Sequence, residues 1–245
     1  MSEHDEPPRD PPDDDRIWPA IAIGAAALGA AAAFFGGPVV KRAVGAVPDE
    51  PLSRLRHRIL QICAEVLPCS YKDPDPRKAE LFKRIDPSYE PESAEWRERI
   101  RAAGADPDKY TDCGAFPGYV ADLIGAKGGL EKRGTYAVML AGQAHGAWIA
   151  AGEGRRPKPG DFLVIGTKSG EVSHVDIAIS TKGRLWRTAD TGQRTPDGRM
   201  AGDFVERDYD ERAGTLSGPK GSNAAPRFLL GWVDIDRYPI GMVAA

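Results

Sequence analysis

The sequence predicts an α+β domain in which N-terminal helices pack on an antiparallel sheet. Three observations predict it. Apolar residues recur at helical spacing over 51–67 and 111–125, with shorter helical stretches between them. After Gly154 the texture changes to short alternating or β-branched runs, divided by turns such as TKGR and TPDGR. Strands follow helices instead of alternating with them, which argues against a parallel doubly wound sheet.

Taken in order, residues 1–16 are acidic, Pro-rich and without a large apolar residue, so they are expected to be disordered. Residues 17–40, IWPAIAIGAAALGAAAAFFGGPVV, carry no charge over 24 positions, enough for a transmembrane or membrane-inserting helix ahead of the domain. Gly24, Gly29, Gly36 and Gly37 suit close helix packing there. The competing reading is an Ala-rich buried helix. Residues 41–50 read as a linker, and 51–245 as the folded domain.

In that domain, 51–67 places Leu52, Leu55, Ile59, Ile62, Cys63 and Val66 on one helical stripe, with the Arg54–Arg58 cluster as a solvated face. Residues 71–92 read as a loop around one short helix, RKAELFKRI, and 93–103 as a helix capped by Ser93. Another helix starts near Cys113, and 135–151 reads as one more, weakened by Gly142 and Gly146. Strands are expected at 161–166, 173–180, 184–190, 203–210 and 227–236.

Composition removes several functions. The net charge of −3 and the lack of a long basic run argue against nucleic acid as a partner. Three cysteines, Cys63, Cys69 and Cys113, are too few for a disulfide-stapled fold. Cys63 and Cys69 are compatible with a disulfide or with two thiols. With no CxxC or HxxxH pair, no metal site is expected.

The chemistry converges on TDCGAFPGYVADLIG, 111–125. A thiol at a helix start lies where orphan N–H groups and the macrodipole favour an anion, so Cys113 is a candidate nucleophile. Such a nucleophile needs an imidazole and a third group to orient it. In SHVDIAIS, His174 shares a strand face with Asp176 and Ala178, while Val175, Ile177 and Ile179 form the greasier face. His174 is the candidate base. The next strand, RLWRTAD, pairs back through TKGR and ends at Asp190, the candidate orienting residue, with Gln193 as its rival. His145 reads as a helix or loop residue, Asp112 as a helix cap, Asp161 as a turn residue, and Trp186 and Trp232 as sheet core.

These residues carry a resemblance. TDCGAFPGYV resembles the DCSGF-type motif of the NlpC/P60 and CHAP cysteine peptidases and amidases, and KPGDFLVIG…SHVDIAIS resembles their PGDLVFF…HVGIYLG segment. The match runs over about 110–193. Gly114-Ala115 stands where Ser-Gly is usual, Asp176 where Gly is usual, and Tyr110 is too close to Cys113 to be the family's upstream Tyr. The resemblance implies a papain-like fold and cleavage of amide bonds in peptidoglycan peptides, as an endopeptidase or an N-acetylmuramoyl-L-alanine amidase, without a cofactor. It implies Cys113 as nucleophile, His174 as base and acid, and Asp190 as third member. The Cys113 backbone N–H is then expected in the oxyanion hole. A wall substrate implies an envelope enzyme anchored through 17–40, with the domain outside, although Lys41, Arg42, Arg54, Arg56 and Arg58 oppose that orientation. The other reading is a secreted toxin or effector, or an inactive binding scaffold.

Overall fold

The computed structural model describes residues 51–108, 112–152, 154–219 and 225–241. The leader 1–16, the apolar segment 17–40 and the linker 41–50 lie outside these described residues. Among the described residues, no helix is long and apolar enough to cross a membrane.

Helix α1 (Arg54–Val66) starts where Ser53 Oγ accepts the Arg56 N–H, and it buries Ile59, Leu60, Ile62, Cys63 and Val66. Burying each such aliphatic side chain contributes about 1.5–3 kcal/mol. A short strand β1 (Cys69–Ser70) follows. Helix α2 (Pro76–Ile85) has Pro76 in its first turn, where a missing N–H costs nothing, and Asp75 as its cap. Helix α3 (Ala94–Ala102) is capped by Ser93, and α4 (Ala115–Leu123) buries Ala115, Phe116, Tyr119 and Val120. Helix α5 (Thr135–Ala144) is shorter than the expected 135–151. Gly146 takes a left-handed φ of 67° beyond its C-cap, and the chain leaves as strand β2 (Trp148–Ala150), which pairs with the last strand.

Six further strands complete the structure: β3 (Phe162–Gly166), β4 (Val172–Ser180), β5 (Leu185–Arg194), β6 (Met200–Asp210), β7 (Thr215–Leu216) and β8 (Arg227–Val233). Each pairs antiparallel with the next, and β8 pairs back onto β3. The result is a closed six-stranded antiparallel barrel with five helices. This corrects the expected papain-like fold of N-terminal helices packed on an antiparallel sheet. Closure depends on β7, whose two residues join Tyr209 of β6 to Leu216, and Thr215 to Phe228 of β8. Two residues are too few to show an alternating pattern, so the sequence carries no signal for closure.

Closure gives every strand an inner and an outer face. The outer residues Phe162, Val164, Val175, Ile177 and Ala189 join Ile59, Phe116 and Val120 from the helices in the main core. Inside lie Leu163, Ile165, Ala178, Trp186, Leu216 and Trp232. Both tryptophans are core residues, with Trp186 stacked on Tyr209 at 4.1 Å between ring centroids. Leu163 pairs across the sheet with Asp176, and Ile165 with His174. Cross-strand partners share a face, so this register also carries His174 and Asp176 inward.

One arginine departs from the expected solvated cluster. Arg56 is buried and reaches Asp161 at 2.8 Å, Asp234 at 2.7 Å and Asp236 at 2.6 Å, and it donates to Pro159 O at 2.9 Å. It ties α1 to the entrance of β3 and to the turn after β8. Asp161 is therefore more than a turn residue; burial pushes it up to about 7 against the pull of Arg56. Cys63 and Cys69 are buried free thiols, so no disulfide joins them.

Candidate active site

Cys113 lies just ahead of α4, whose N-cap is Gly114, so it precedes the helix instead of occupying its first turn. The local turn is fixed by Asp112, whose Oδ1 accepts the Gly114 N–H at 3.1 Å. Gly114 stands where the resembling motif has Ser because a Cβ there would meet the Gly134 backbone at 2.7–2.9 Å. That distance leaves no room for a side chain.

The pairing of β4 with β5 covers Ile177–Ser180 against Arg187–Ala189. Toward the His174 end the ladder stops, and the Asp112–Cys113 segment touches both strands. Cys113 Sγ is 3.8 Å from Ser173 O on β4, and Thr191 Oγ1 of β5 donates to Asp112 O at 2.6 Å. This wedge brings the thiol to the imidazole. On one side the Cys113 thiol lies near enough to the His174 ring to help raise its pKa. On the other, Nε2 lies 2.8 Å from Asp190 Oδ2. With Nε2 committed to a carboxylate, Nδ1 is the nitrogen left for the thiol.

Two further residues complete the cluster. Asp176 Oδ1 is 2.6 Å from His174 Nε2, and Asp176 Oδ2 is 3.1 Å from Arg207 Nε. Arg207 Nη2 reaches Asp190 Oδ2 at 2.7 Å and His174 Nε2 at 3.2 Å. Its other bonds go to Thr188 Oγ1 and Ser217 O. Asp176 and Asp190 are fully buried, and Arg207 nearly so. Gln193 donates to both Asp190 oxygens at 3.1 Å, so it supports Asp190 instead of competing for the imidazole.

The electrostatics follow from this packing. Burial disfavours the His174 cation, but the charge of Asp176 beside it and the hydrogen bond with Asp190 outweigh it and raise its pKa well above 6.5. Burial also opposes the Asp176 anion, yet Arg207 and His174 hold that carboxyl well below the usual range. Burial and the Asp176 charge push Asp190 up to about 6, against the pull of His174 and Arg207. The arrangement is an imidazole poised to hold a proton beside a thiol. His174, Asp176 and Asp190 also offer donor atoms within 4.8 Å of one another, the kind of set that can hold a metal ion. They do not fit one as they stand, because the Arg207 guanidinium already contacts all three side chains.

The structure therefore brings Cys113, His174 and Asp190 together. His145 has other contacts: Gly128 O at 3.3 Å and the Tyr238 ring. Asp176 and Arg207 were missed as site residues. Alternation places Asp176 on the His174 face, which is a usable signal. Arg207 belongs to β6, and only barrel curvature directs it to the same point. No family model matches this chain, and no curated protein matches it.

Proposed function

We propose that this chain is a cysteine hydrolase of amide bonds, with Cys113 as nucleophile. The observation that carries the reading is the Cys113 thiol, seated on Ser173 O next to His174, with the His174–Asp190 pair held in a cluster with Asp176 and Arg207. Cys113 passes its proton to His174 before Sγ attacks the amide carbonyl, so that His174 enters the reaction as the imidazolium that Asp176 and Asp190 favour. The C–N bond breaks as His174 returns that proton to the leaving amine. Water, deprotonated by His174, then cleaves the thioester to release a carboxylic acid and restore the thiol. Asp190 orients the ring and stabilises the imidazolium; Gln193 steadies Asp190. The substrate class, peptide amides of peptidoglycan, comes from the motif resemblance to NlpC/P60 and CHAP enzymes, and an envelope location anchored through 17–40 comes with it. The test is incubation of the chain with purified peptidoglycan and mass analysis of the released fragments. New amine and carboxyl termini support the reading, and intact stems refute it.

Two expected results follow. Asp190→Ala lowers kcat/KM by about a hundredfold, and Gln193→Ala by about tenfold or less, because only the carboxylate touches the ring. Equal losses in a kinetic comparison would remove Asp190 from its role. Asp176→Asn withdraws the largest influence raising the His174 pKa. Losing an anion beside an imidazolium lowers its pKa, so the alkaline limb of the pH–rate profile moves toward neutrality. An unmoved limb contradicts the assignment.

A binding scaffold is the second reading, favoured by the low exposure of Cys113 (6%) and His174 (8%). It predicts peptide binding with no new termini.

A further inference from the structure

An open cleft of about 340 Å³ lies against His174, toward the lower end of small-ligand pockets. Strands β3, β4 and β5 form one wall, and the segments around β7 and the start of β8 form the other. Its polar described lining includes Ser173, His174, Gln193, Ser217, Arg207 and Arg227, with no carboxylate among the described lining residues. The two arginines differ in availability. Arg207 is committed to Asp176, Asp190, Thr188 and Ser217 O. Arg227, the first residue of β8, is exposed, and no ion pair or hydrogen bond of its guanidinium is found among the described residues. An unpaired planar guanidinium at the rim of a cleft without acids recognises a planar anion, and a carboxylate fits its fork.

We infer that this cleft is an anion subsite in which Arg227 binds a carboxylate of the substrate peptide, an acidic side chain or a free C-terminus close to the amide presented to Cys113. The inference rests on the hydrolase reading for the identity of the chain bound there. The charge preference rests on the cleft alone.

The test is therefore a binding measurement. The full-length Cys113→Ala protein in detergent is titrated with acetyl-Ala-Glu-Ala-amide and with its uncharged isostere acetyl-Ala-Gln-Ala-amide. The Glu peptide is expected to bind about fivefold more tightly, the scale of an exposed ion pair. The preference is expected to shrink as salt rises. Adding Arg227→Gln abolishes the preference, while Arg227→Lys keeps part of it. Arg227 is on the surface, and matching melting temperatures show that these variants fold. Equal affinity for the two peptides, a preference that survives Arg227→Gln, or no binding of either peptide at millimolar concentration overturns the subsite. None of these outcomes depends on turnover, so the peptidoglycan assay judges the hydrolase reading separately.

Discussion

Cys113→Ala is expected to lower amide hydrolysis by about a thousandfold or more, the scale seen when a covalent nucleophile is removed. The fold is expected to survive, because Ala fills most of the space of Cys and the surrounding turn is held by Asp112, Gly114 and Thr191. Burial pushes the Cys69 thiol up to about 12 and raises Cys63 further still. Neither is suited to act as a thiolate, so Cys63→Ala leaves the turnover of folded protein unchanged. Hydrolysis assays with melting curves check both statements. Full turnover in Cys113→Ala would make Cys113 a packing residue.

Arg207→Gln is expected to have the largest effect on stability. It leaves Asp176 and Asp190, both fully buried, with His174 alone to offset two charges. Removing one partner of such a cluster costs about 3–5 kcal/mol. For a domain of this size that lowers the melting temperature by about 10 °C or more. Activity falls as well, since Asp190 then relaxes away from the ring or takes up a proton. Arg207→Lys restores little, because an ammonium cannot bridge two carboxylates through separate nitrogens of one rigid fork. Calorimetry checks the prediction, and an unchanged melting temperature contradicts it.

Much of the site was legible because its signals are local. A thiol ahead of an apolar helix, a His on the less greasy face of an alternating strand and an Asp on the strand that follows lie within 78 positions of one another. The rest is set by geometry between distant segments. Arg56 resembled a solvated helix residue because its carboxylates, Asp161, Asp234 and Asp236, come more than 100 positions later. Arg207 alternates with ordinary exposed charges on β6, and only the closed barrel turns it onto His174. Barrel closure itself rests on the two residues of β7. The end of α5 was hidden for another reason: 135–151 is apolar throughout, and helix and buried strand look alike in such a run.

The central claim is that His174 makes Cys113 a nucleophile, and thiol alkylation tests it most directly. The full-length protein is treated with iodoacetamide near neutral pH, and each cysteine is followed by peptide mass mapping. The account predicts that Cys113 is modified first, with Cys63 and Cys69 protected, and that His174→Ala slows modification of Cys113 by about tenfold or more. Modification of Cys113 at the same rate with and without His174 would contradict it.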